Sequence, residues 1–82
     1  MLENVWNEIV GNTIKDLRKQ KGISQEELAD SIDSHQVYIS EIERGLKLPS
    51  LPVLYKIAHC LGFSLTELIS LVENQMERSS KQ

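Results

Sequence analysis

Apolar residues in this chain recur at helical spacing and nowhere alternate as a half-buried strand would. Val10, Ile14 and Leu17 fall together on a first segment, Leu28, Ala29 and Ile32 on a second, and Ile39 and Ile42 on a third. Leu54, Ile57, Ala58 and Leu61 mark one face of a fourth, and Leu65, Leu68, Ile69, Val72 and Met76 one face of a fifth. Polar residues punctuate these stretches. Ser24 to Glu27 and Ser64 to Glu67 each spell Ser-x-x-Glu, the capping box in which serine and glutamate satisfy orphan backbone donors at a helix start. Ser34 and Ser50 stand where two more N-caps belong. Gly22, Gly45 and Gly62 each follow a periodic stretch, where a left-handed residue closes a helix. The pattern predicts helices over about 3–20, 24–31, 35–44, 50–61 and 65–77. It describes an all-α, compact five-helix bundle, with 1–82 as a single domain, 1–10 as a helical extension and 78–82 as a flexible polar tail.

Leu2, Val5, Trp6 and Ile9 lie about a quarter turn from Val10, Ile14 and Leu17, so something must cover them. Two coverings are open: the fifth helix of the same chain, or a second protomer. In the second case Val5, Trp6 and Leu71 are the dimer candidates.

Composition removes several function classes. The chain has 82 residues, 40% of them hydrophobic, enough for one small core and too few for a second sensing domain. No apolar run approaches the roughly 20 residues of a membrane span, and Met1 to Val10 carries two glutamates and no basic residue, unlike a signal peptide. A cytoplasmic protein with no membrane association is expected. Cys60 is the single cysteine, and no Cys/His spacing suits zinc, so neither a metal nor another cofactor is expected; Cys60, although beside His59, reads as packing on the flank of a core stripe. No motif brings a nucleophile, a base and an orienting group together, so the chain does not read as an enzyme.

The net charge of −3 argues at first against a nucleic-acid partner. Distribution changes that picture: Lys15, Arg18, Lys19 and Lys21 cluster, Arg44 and Lys47 flank a glycine, and no residue from Phe63 to Glu77 is basic.

Gln25 to Glu43 comprises two short helices about three residues apart, the connection that sets a helix-turn-helix angle. Leu28, Ala29 and Ile32 line the inner side of one helix, and Ile39 and Ile42 that of the other; Ala29 is small enough for close axial approach. Opposite Ile39 and Ile42 lie Gln36, Val37, Ser40, Glu41 and Arg44. Gln36 suits a bidentate pair with adenine, Val37 a thymine methyl, Ser40 either role in a hydrogen bond, and Glu41 the amino group of cytosine. Tyr38 stands at the edge of this face, as a base contact or a half-buried packing residue. His35 points toward Ile39 and Ile42 and reads as a cap or packing residue before a DNA contact. Gln25 and the backbone donors around Ser24 suit a phosphate at a helix start, with Arg44 and Lys47 gripping the backbone opposite.

Ser24-Gln25-Glu26-Glu27-Leu28-Ala29 and Tyr38-Ile39-Ser40-Glu41-Ile42-Glu43-Arg44-Gly45 resemble the phage repressor and Cro-like helix-turn-helix family, also called the xenobiotic-response-element family. The likeness runs from about Gly11 to Leu68, including Lys15-Asp16-Leu17-Arg18 and Pro49-Ser50. It implies a lambda-repressor-like five-helix domain that binds double-stranded DNA at inverted-repeat operators as a homodimer, with the second helix of the pair in the major groove. By the same resemblance Gln25 is a phosphate-binding glutamine, Gln36, Val37, Tyr38, Ser40 and Glu41 are base-reading positions, and Arg18 and Glu43 form a structural ion pair beneath the recognition helix. Asp33 departs from the family's turn glycine, and Glu41 places a negative charge near phosphate. Antitoxins and restriction–modification controllers share these features, as does a protein-interaction module built on the same scaffold. No small-molecule ligand is expected, which leaves control to protein concentration, operator copy number or a second regulatory protein.

Overall fold

The computed structural model describes residues 2–80, with side chains from Asn4 to Ser79. Five helices follow in order: α1 Leu2–Lys21, α2 Gln25–Ser31, α3 Gln36–Glu43, α4 Leu51–Cys60 and α5 Leu65–Ser80. Both capping boxes form. Ser24 Oγ accepts from Glu27 N at 3.0 Å while Ser24 N donates to Glu27 Oε1 at 2.8 Å, and Ser64 and Glu67 repeat the exchange at 3.0 and 2.8 Å. Ser50 caps α4 by accepting from Val53 N.

Two boundaries differ from expectation. Ser34 is not the cap of α3: its N–H donates to Ala29 O at 2.8 Å, which closes the turn and delays the helix by one residue. His35 holds the N-cap position instead, exposed, with no cap bond from its ring and no packing role. The segment expected to fray from Arg78 continues α5 to Ser80, while Lys81, Gln82 and the side chain of Leu2 lie outside the described residues.

The helices close around one buried cluster. Ile14, Leu28, Ile39, Ile42, Ile57, Leu68 and Val72 are its most enclosed large side chains, so every helix contributes to the same core. α1 packs against α3 and α5, which places Trp6 and Ile9 partly buried against that core and answers most of the covering question within the chain. At the α1–α3 crossing a Cβ on Gly11 would collide with the Ile42 carbonyl, so only glycine permits this approach. Buried Thr13 satisfies its hydroxyl on Ile9 O at 2.7 Å, one turn back. Asp33 takes φ 57° in the α2–α3 turn, the left-handed conformation that a glycine would adopt without strain. Among the described residues no helix is long and apolar enough to cross a membrane.

Candidate nucleic-acid interface

The α2–α3 angle is held from beneath by one buried charge pair. Arg18 Nε donates to Glu43 Oε2 at 2.6 Å and Nη2 to Oε1 at 3.0 Å, while Nη1 donates to Ile23 O at 2.8 Å. α1, the α1–α2 turn and the end of α3 are thereby fixed to one guanidinium. The hydrogen bond to Glu43 raises the Arg18 pKa above its ordinary value against the opposing effect of burial, so the guanidinium stays charged.

From Glu43 the bonding continues outward to α2 and then back to α3. Gln25 Nε2 donates to Glu43 Oε1 at 3.0 Å, and Gln36 Nε2 donates to Gln25 Oε1 at 3.1 Å. Each primary amide has two N–H groups, so Gln36 keeps one donor and its carbonyl oxygen, the pair that an adenine edge requires. Gln25 keeps one donor, enough for a phosphate oxygen. Ser24 is less available than its position implies. Its backbone N–H and its hydroxyl oxygen are both engaged by Glu27, so a phosphate at the start of α2 would fall to Gln25.

Gln36, Val37 and Arg44 are exposed on the outer face of α3, with Tyr38, Ser40 and Glu41 half-buried beside them. Most of the polar members already have partners within the chain. Arg44 Nε donates to Ser40 O at 3.3 Å and to Ser40 Oγ at 3.2 Å, which aims the rest of the guanidinium outward. Lys47 Nζ lies 3.3 Å from Glu41 Oε1 and 6.0 Å from the centre of the Tyr38 ring. Glu41 thus has a counter-ion in the chain itself. Tyr38 also packs against the core, so its body is structural, and its ring face lies under the Lys47 cation. Val37 is 67% exposed, an apolar side chain in the middle of this polar frame.

The dimer candidates are not gathered on one free surface. Trp6 and Leu71 pack partly against the core, and Leu71 also lines a shallow groove with Phe63, Thr66, Glu67 and Ser70; Val5 is 36% exposed. Leu46, Leu48, Leu51 and Tyr55, which the hydrophobic pattern does not single out, are more than half exposed. Leu51 falls one turn before Leu54, in phase with the core stripe of α4. Periodicity therefore conceals it; its exposure comes from lying in the first turn of the helix.

The family model for helix-turn-helix proteins matches residues 14–68, the span that contains the ion pair, the turn and the exposed face of α3. The chain belongs to the helix-turn-helix family, of the phage-repressor type. Among its relatives, the control protein C.MunI of a Mycoplasma species is 46% identical over 66 residues, covering 79% of this chain and 89% of its own. Among solved structures, the clp gene regulator ClgR of Corynebacterium glutamicum superposes with a TM-score of 0.86 at 30% identity, over 94% of this chain and 82% of its own. The restriction-modification controller protein C.AhdI of Aeromonas hydrophila gives 0.72 at 34% identity, over 76% and 90%. As a helix-turn-helix member the protein is a DNA-binding transcriptional regulator and not an enzyme.

Proposed function

We propose that this helix-turn-helix regulator acts in the cytoplasm as a homodimer on an inverted-repeat operator, with the α3 helices of the two protomers in successive major grooves about 34 Å apart. The observation that carries the reading is the exposure of Val37 within a rigid polar frame tied through Gln36, Gln25 and Glu43 to a buried ion pair. An apolar side chain held in that setting gains by covering a thymine methyl, while Gln36 pairs with adenine and Ser40 and the edge of Tyr38 contact neighbouring bases. Gln25, Arg44 and Lys47, with the backbone near Ser24, position the protein on phosphates and carry no sequence information.

Selection of bound molecules from random duplex DNA at physiological salt tests this. An enriched inverted repeat with half-site centres one helical turn apart is the expected result. Enrichment of a single unrepeated site removes the dimer, and no enrichment over input moves the function to a protein-interaction module. Similarity to C.AhdI favours one particular setting, control of a restriction–modification operon. The selected sequence would then lie upstream of methyltransferase or endonuclease genes beside the gene for this protein.

A further inference from the structure

We infer that Lys47 and Glu41 form an exchangeable pair that couples grip to reading. Where Glu41 meets cytosine, the Lys47 ammonium moves to phosphate; where it meets guanine or thymine, the ammonium stays on the carboxylate. This rests on the operator reading above and deepens it, adding Glu41 to the residues that select sequence and making the Lys47 contact conditional on the base that Glu41 meets. Glu41 follows Val37 by four residues, so it lies one turn along the same outward stripe of α3. Its side chain is 28% exposed, and its Oε1 lies 3.3 Å from Nζ of Lys47, a side chain 55% exposed. The same Nζ is 6.0 Å from the centre of the Tyr38 ring. Lys47 stands in the loop after α3, on a flexible four-carbon stem, so the ammonium can leave Glu41 without any movement of the helix.

A carboxylate only accepts hydrogen bonds. In the major groove it can therefore pair with the amino groups of cytosine and adenine alone, and adenine sets its N7 acceptor beside that amino group, so cytosine N4 is the fitting partner. Against guanine or thymine the carboxylate faces N7, O6 or O4, and without its counter-ion it would stand as a bare negative group among acceptors and phosphates. One ammonium neutralises one anion, so Lys47 neutralises either Glu41 or a phosphate. An exposed pair of this kind is worth about fivefold or less in an equilibrium constant, whereas one matched base pair is worth about 5- to 150-fold. Reading cytosine thus outweighs the loss of the pair, and the released cation adds the counter-ion release of a phosphate contact. With guanine or thymine the carboxylate is repelled, and the pair stays closed.

Selection from random duplex DNA by wild type, Glu41→Ala and Lys47→Gln, followed by binding titrations at 50 and 200 mM salt, tests the exchange. Circular dichroism melts confirm that each variant folds. A cytosine in each half-site is expected from wild type and Lys47→Gln and is lost from Glu41→Ala. The titrations compare the selected operator with a duplex in which that cytosine is replaced by thymine in every half-site. For a base contact alone, the ratio of the two affinities is the same at both salts. With the exchange, wild type gives up the Lys47 contact of each protomer on the thymine duplex. The slopes of log K against log salt then differ by about 1.8, and the ratio shrinks about 12-fold from 50 to 200 mM. On a single unrepeated site the difference is about 0.9 and the shrinkage about 3.5-fold. In Lys47→Gln the ratio is independent of salt. A wild-type ratio independent of salt overturns the exchange and leaves the operator reading standing, as does a selected site with no cytosine that depends on Glu41. A wild type that enriches no sequence overturns both. Should Glu41→Ala fail to fold, the salt dependence of the ratio in wild type and Lys47→Gln decides.

Discussion

Glu43 accepts three hydrogen bonds in a place almost without water, two from Arg18 and one from Gln25. Removing its charge leaves a buried guanidinium without a counter-ion, and that cost exceeds the net worth of the intact pair. Glu43→Gln is therefore expected to cost about 3 kcal/mol in urea denaturation, and Arg18→Met with Glu43→Leu considerably less than either single change. A loss below about 1 kcal/mol for Glu43→Gln would show the pair to be well solvated in solution. Val37 lies at the other end of the same bonding frame. Once the operator is known, replacing one contacted thymine with deoxyuridine deletes a single methyl group, worth about 0.8 kcal/mol or about fourfold in affinity. Wild type should show that loss at one position per half-site and Val37→Ser should not; equal losses in both proteins would assign the methyl contact to another side chain. A helical wheel suffices to place Val37 on the outer face of α3, because one helix determines it. The bond between Gln25 and Gln36 is not legible in that way, since it depends on the angle between two helices.

At the level of elements, sequence punctuation transfers well to structure where the bond is local. The capping boxes at Ser24 and Ser64 and the cap at Ser50 use groups within three residues of each other, and all three form. Ser34 is not the cap because the α2–α3 turn, closed by its N–H on Ala29 O five residues back, runs one residue further and starts α3 at Gln36 with His35 in the N-cap position. Such an extension belongs to the turn and leaves no trace in periodicity. The close approach at Gly11 is equally invisible beforehand, since a glycine inside a helix reads as a small loss of propensity until α3 is seen to lie against it. Asp33 is the exposed element-level defect, a residue with a Cβ held at φ 57°. Asp33→Gly removes the left-handed strain at some cost in chain entropy, with an expected net gain of up to about 1 kcal/mol. In a domain of this size that raises the melting midpoint by roughly 4–8 °C, measurable by circular dichroism. A lowered midpoint would mean that the Asp33 carboxylate itself supports the turn.

The molecule as a whole carries a net charge of −3, unusual for a partner of DNA, and this makes the salt dependence of binding informative. Phosphate contacts by neutral groups, such as the Gln25 amide, release no counter-ions; contacts by cations do. In the proposed complex Arg44 and Lys47 approach phosphate from each protomer, so about four charges are neutralised per dimer and the slope of log K against log salt is about −3.6. Affinity should then fall about 150-fold between 50 and 200 mM salt, well short of the thousandfold or greater loss of strongly basic binders. Lys47→Gln in both protomers should bring the slope to about −1.8 with the selected sequence unchanged, because the contact positions and does not read. A wild-type slope near −7 would bring the exposed Lys15 and Lys19 of α1 onto the duplex as well, enlarging the footprint beyond α2 and α3. An unchanged slope in Lys47→Gln would instead mean that Glu41 keeps its counter-ion in the complex and that Lys47 never reaches the backbone.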